Sequence, residues 1–189
     1  MSLLNFEAFR NGNFETQSQQ LEYLFERSKS LEIFTIGDPL FVKDLGSSYD
    51  EFVEKVRARL IKLCRTTGCD AEKHLSDVIA AHPRLGQTKK VLSAHSALEQ
   101  RNLGSSDSKE TQEILQRLNE QYEAVYLGLR FVVFVNGRSR PEIIRVMQSR
   151  INSGNSWLQE AQLACNEMCD IALDRIKKDT LTSQSHNKL

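Results

Sequence analysis

The sequence predicts an all-α protein, a single-domain bundle of roughly eight helices. Three observations predict it. Apolar residues recur at three- and four-residue intervals through most of the 189 positions, the spacing that lines one face of a helix. The 3 prolines and 9 glycines fall mainly between the periodic segments. Only one run, Phe131-Val132-Val133-Phe134-Val135, has the β-branched and aromatic composition of a buried strand, and no partner strand is evident for it.

The elements follow in order. A short helix near Leu4–Phe9 precedes a second marked by Leu21, Leu24 and Phe25, and Gly37-Asp38-Pro39 turns the chain. Ser47 or Ser48 can cap the next helix, in which Phe52, Val56, Leu60 and Leu63 share a face. Asp70 is the expected cap of a helix that carries Leu75, Val78 and Ile79 and stops at His82. Ser93 or Ser96 then begins a short helix bearing Glu99 and Gln100. Gly104–Ser108 is a loop and helix-start signal, after which Ile114, Leu115, Leu118, Tyr122, Val125 and Leu129 describe a long amphipathic helix. An isolated strand leaves its backbone donors and acceptors unsatisfied, so Phe131–Val135 is read as the buried end of that helix, leading into Asn136-Gly137. Pro141 opens another helix with Ile143, Ile144, Met147 and Ile151 inward, and the last long helix runs from Trp157 to about Lys178. Residues 1–180 form the domain and 181–189 a flexible tail.

Lys plus Arg and Asp plus Glu are balanced at 25 each, which counts against nucleic acid or an anionic membrane as partner. Residues 1–7 lack the basic start and apolar run of a signal peptide, and no segment approaches the roughly 20 apolar residues that span a bilayer. Cys64, Cys69, Cys165 and Cys169 have no CxxC spacing and read as buried structural thiols. His74 and His95 are too irregularly placed to suggest a zinc site, and His186 lies in the tail.

The chemistry centres on His82-Pro83-Arg84-Leu85-Gly86, followed by Ser96-Ala97-Leu98-Glu99-Gln100. Proline disfavours a helical predecessor, so His82 falls at a helix end, and Gly86 permits a sharp change of direction. A histidine titrates near neutral pH and suits proton transfer. Two helices can thus present a histidine and a carboxylate, Glu99, to one pocket.

His-Pro-Arg-Leu-Gly, then Ser-x-x-Glu-Gln, then the Phe131–Val135 run, Gly137-Arg138-Ser139, Arg150-Ile151-Asn152 and Arg175-Ile176 together resemble the OHCU decarboxylase family of urate breakdown, OHCU being 2-oxo-4-hydroxy-4-carboxy-5-ureidoimidazoline. The motifs span about half the chain and occur in the family's order. One departure is Tyr126-Leu127-Gly128-Leu129-Arg130-Phe131, where many members have Phe-Gly-Phe-Pro-Phe.

The resemblance implies a helical homodimer that needs no cofactor and converts OHCU, a small ureidoimidazoline, to S-allantoin and carbon dioxide. It puts the catalytic histidine at His82 and substrate contacts at Pro83, at Ser96, Ala97, Leu98, Glu99 and Gln100, and at Phe131, Val132, Val133, Phe134 and Val135. In that chemistry His82 serves as acid/base and Glu99 can fix its tautomer, while Ser96 and Gln100 can bond the ring and ureido edges. Phe131 can cover the ring, and it can equally be core. Arg175, and with a weaker claim Arg138, can pair the substrate carboxylate through a bidentate fork, the alternative for Arg175 being a structural salt bridge. The alternative to catalysis is a helical protein that only binds a ureide or purine. The closing Asn187-Lys188-Leu189 varies the peroxisomal address Ser-Lys-Leu, so the expected location is peroxisomal or cytoplasmic.

Overall fold

The computed structural model describes residues 2–66, 68–86 and 108–186. Among these residues there are nine helices and no strand. The N-terminal part holds α1 (Phe6–Arg10), α2 (Phe14–Phe25), α3 (Lys29–Phe34) and α4 (Pro39–Val42). Then come α5 (Tyr49–Cys64) and α6 (Cys69–Ala80), and after residue 107 α7 (Lys109–Val125), α8 (Arg140–Ile151) and α9 (Trp157–His186).

The N-termini are closed by short polar side chains that accept otherwise orphaned N–H groups. Asn5, Asn13, Ser28, Asp38, Ser48 and Ser108 each accept from a first-turn backbone N–H. At α8, Ser139 and Glu142 form a reciprocal capping box, with Pro141 in the first turn. One expected cap is wrong. Gly68, with no side-chain bond, precedes α6, and Asp70 lies inside its first turn, where a carboxylate still complements the helix dipole.

α9 is the axis of the bundle and packs on α5, α2 and α6. Its inward face, Ala161, Ala164, Cys165, Met168, Cys169 and Ala172, is fully buried. Those small and flexible side chains let α5 approach with Phe52, Val53, Val56 and Leu60. Cys64, Cys165 and Cys169 are buried free thiols, and burial pushes Cys169 up to about 12. At the far end, α1 is far too short to persist alone. Phe9 anchors it, edge-on to Phe52 at 4.9 Å and beside Tyr49 at 5.2 Å, and its full burial is worth about 1.5–3 kcal/mol. α9 continues to His186, past the Lys178 at which its periodicity fades and into the segment read as tail.

The larger correction concerns the chain after α7. The helix ends at Val125, and Phe131–Val135 is neither helix nor strand but an irregular segment. Gly128 forces the break. Its φ is +84°, a conformation that favours glycine, and a Cβ there would stand 2.8 Å from the Ser76 hydroxyl on α6, which would have to rotate away. The objection that a lone segment of this kind starves its backbone is met in part by side chains. Arg150 donates to the Val132 carbonyl at 2.8 Å, and the Phe134 N–H donates to Glu167 at 2.6 Å. Two helices thereby do the work of a neighbouring strand.

Candidate functional site

His82 lies in the turn that leaves α6, its N–H donated to the Ile79 carbonyl. The turn is tied from three sides. Arg130 donates to the His82 carbonyl at 3.1 Å, Asn119 on α7 donates to the Leu85 carbonyl at 3.0 Å, and Arg84 forms a two-pronged pair with Glu123. Gly86, at φ +79°, lets the backbone pass within contact of Leu115. Pro83 follows the histidine directly and restricts its backbone.

The imidazole is 4% exposed, and its Nε2 has no hydrogen-bond partner among the described residues. Burial above all, and then the Arg175 guanidinium, push its pKa down from 6.5 to about 4 against the opposing charge of Glu26. At neutral pH the ring is therefore uncharged, with a buried nitrogen that no described residue engages.

Arg175 on α9 is 2% exposed. Its Nη1 donates to the carbonyls of Tyr23 and Leu24 at the end of α2, and its Nη2 to Glu26 at 2.8 Å. The structural salt bridge weighed for this residue is thus present, and the cation also answers the negative end of the α2 dipole. Both charges act electrostatically on His82.

The segment after α7 borders a cavity of its own, whose lining includes neither His82 nor Arg175. Phe131, Val132 and Val133 are buried, and Phe134 and Val135 partly so. A cavity of about 250 Å³ lies between residues 133–137 and the Ile171, Asp174 and Lys178 face of α9. Helical spacing puts Arg175 on that same side of α9. Ser96, Ala97, Leu98, Glu99 and Gln100 lie outside the described residues. Arg138 sits beyond the turn at Asn136-Gly137, its N–H donated to the Val135 carbonyl.

Several residues that build the site escaped the sequence reading. Arg150 binds Glu160 through Nε and Nη2 at 2.8 and 2.6 Å and stacks on Phe131, 4.8 Å from the ring centre. Tyr122 and Asn155 complete the Glu160 carboxylate at 2.8 and 2.9 Å. A usable signal existed: Glu160 precedes Ala164 and Met168 at four-residue spacing, so it falls on the apolar face of α9 and needs a buried cation. Glu26 and Asn119 gave no such signal.

The family model for OHCU decarboxylase matches residues 12–177. Among solved structures, a crystal structure of (S)-allantoin synthase superposes with a TM-score of 0.60 at 15% identity, over 93% of this chain and 54% of that one. The chain thus spans about half the length of that protein. A crystal structure of OHCU decarboxylase in the presence of (S)-allantoin superposes with a TM-score of 0.53 at 19% identity, over 79% of this chain and 96% of that one. At these identities the superpositions speak to the fold. No curated protein sequence matches the chain.

Proposed function

The chain belongs to the OHCU decarboxylase family, and from that premise we propose that it decarboxylates OHCU to S-allantoin in urate degradation, with His82 as the acid/base group. The observation that carries the proposal is the buried, uncharged His82, whose Nε2 has no partner among the described residues and which feels the charge of an Arg175 guanidinium held by Glu26.

The chemistry fits these parts. When the C–C bond to the carboxylate breaks, its electron pair moves toward the adjoining C=N bond, whose nitrogen takes a proton, and carbon dioxide leaves. The neighbouring hydroxyl then loses its proton as a carbonyl forms, and the ring carbon that bears the ureido group gains a proton on one face. A neutral imidazole is ready for the later transfer, because it can accept the hydroxyl proton and return it to carbon. The Arg175 charge favours the substrate carboxylate, and its bonds to Glu26 and α2 keep that charge in place. Pro83, Phe131 and the backbone of Val132–Val135 line the ring and ureido arm, and Phe131 keeps water out. Ser96–Gln100 supply the remaining polar contacts in this reading, with Glu99 orienting His82.

A circular-dichroism time course on freshly generated OHCU tests the proposal, comparing buffer, the protein and His82→Asn. Rapid growth of the S-allantoin signal with the native chain, lost in the variant, is the expected result. Decay no faster than in buffer, from folded protein that still binds allantoin, would leave the non-catalytic binding protein instead. Two further parts of the proposal rest on the family and on the closing tripeptide. The chain works as a homodimer, checked by sedimentation equilibrium, and Asn187-Lys188-Leu189 directs it to peroxisomes, checked by deleting those three residues and following its location.

A further inference from the structure

Glu26 occupies a backbone conformation that side chains avoid. At the end of α2 its φ is 68° and its ψ 162°, a region in which essentially only glycine is comfortable. A glycine would make the same turn without strain, so the retained side chain has to be explained by what it holds. Its carboxylate is largely buried and accepts from Arg175 Nη2 at 2.8 Å, while the same guanidinium reaches back through Nη1 to Tyr23 and Leu24 at 3.1 and 3.2 Å. These three bonds fix the plane of the guanidinium, and the left-handed turn is what carries the Glu26 side chain to it.

We propose that Glu26 is a positioning residue for the decarboxylation: it pins Arg175, whose charge His82 feels, in one orientation, so that the charge meant for the substrate carboxylate is in place before substrate arrives. This rests on the function proposed above and extends it to a residue that touches neither substrate nor reacting atoms. The charged groups around His82 among the described residues fit a fixed arrangement. Arg175 comes from α9, Glu26 from the end of α2, and Arg130 holds the His82 carbonyl. Arg175 and Glu26 cancel one another, so the pair can stay buried without substrate and still present a cation at one end.

Two variants test the idea. Glu26→Gly removes the carboxylate and relieves the backbone, and Glu26→Gln keeps the shape and an acceptor but loses the charge. Both are compared with the native chain for kcat and KM per folded molecule, and for the ¹⁵N resonances of the Arg175 guanidinium, assigned with Arg175→Lys. The native chain should show separate, slowly exchanging Nη signals. Glu26→Gly should show averaged ones, with kcat lowered by about ten- to a hundredfold and KM changed much less, as expected for loss of orientation. Glu26→Gln should fall between. Native kcat and KM in both variants, whatever their stability, would reduce Glu26 to a structural counter-ion and overturn the proposal. Should Glu26→Gly fail to fold, Glu26→Gln carries the same test. Should the native chain not accelerate OHCU decay, the function fails, while unchanged guanidinium signals in the variants would still overturn the pinning itself.

Discussion

Two buried arginine–glutamate pairs stand on the same scaffold, and they do different things. Arg150 meets Glu160 where Tyr122, Asn155 and the Val132 carbonyl complete the bonds, and its flat face covers Phe131. Arg175 meets Glu26 where the backbone is strained, and the histidine that feels both charges has a nitrogen with no partner among the described residues. The first is a strut that holds the irregular segment; the second is the charged edge of a site. Burial of an ion pair is common to both and so is not the mark of function. What separates them is the unfinished chemistry around Arg175, since strain and an orphaned polar atom persist only where something else requires them.

The largest effect that distinguishes the two regions should come from His82→Asn. Turnover should fall about 10²- to 10⁴-fold, the range for losing an acid/base group, while the fold survives. Its pH signature has a definite sign. The folded-state pKa is lowered from 6.5 to about 4, so between those values the unfolded chain takes a proton that the folded one refuses. Stability is full above pH 6.5 and declines as pH falls toward 4, by up to about 3 kcal/mol. Urea midpoints at pH 7.5 and 5 should therefore drop more for the native chain than for His82→Asn. Equal drops would mean that His82 is not held neutral.

Glu160→Gln should do the reverse. It leaves Arg150 buried without its counter-charge, which costs about 3–5 kcal/mol of stability, read from urea unfolding. Activity per folded molecule should change far less than in His82→Asn, and a loss as deep as that variant's would erase the distinction between strut and site. Glu167→Gln sits between the two regions. Its carboxylate accepts the Phe134 N–H at 2.6 Å, and an amide is a weaker acceptor by about 1 kcal/mol, so KM should rise roughly fivefold with little change in kcat. An unchanged KM would show that the segment holds its shape without this bond. The smallest effect belongs to Glu123→Gln. The Arg84–Glu123 pair is partly exposed and should be worth no more than about 1 kcal/mol, with turnover intact.

Much of the helical plan was legible because it depends on local spacing. Ser48, Ser108 and Pro141 took their expected places, since a cap needs only its own first turn. Asp70 misled because its type suits a cap while the chain begins the helix at Gly68. Phe131–Val135 misled for a different reason. Its strand-like composition makes no strand, and the reading of it as a helix end overlooked Arg150 and Glu167, which come from α8 and α9 and satisfy part of its backbone. Nothing local to residues 131–135 announces those partners.

At the site, His82 and its turn could be found from His-Pro-Arg-Leu-Gly, because proline and glycine write the backbone path into the sequence. The residue types that suit the chemistry, and their order along the chain, were likewise fixed by the sequence alone. Tertiary structure decided the rest. It set the pKa of His82, which depends on how much protein surrounds the ring and on charges that come from α2 and α9. It also turned Arg175 toward Glu26, 149 positions away in the chain. Periodicity and capping act over a few residues and can be read from a string, whereas desolvation and Coulomb fields act through space and exist only once the helices have met.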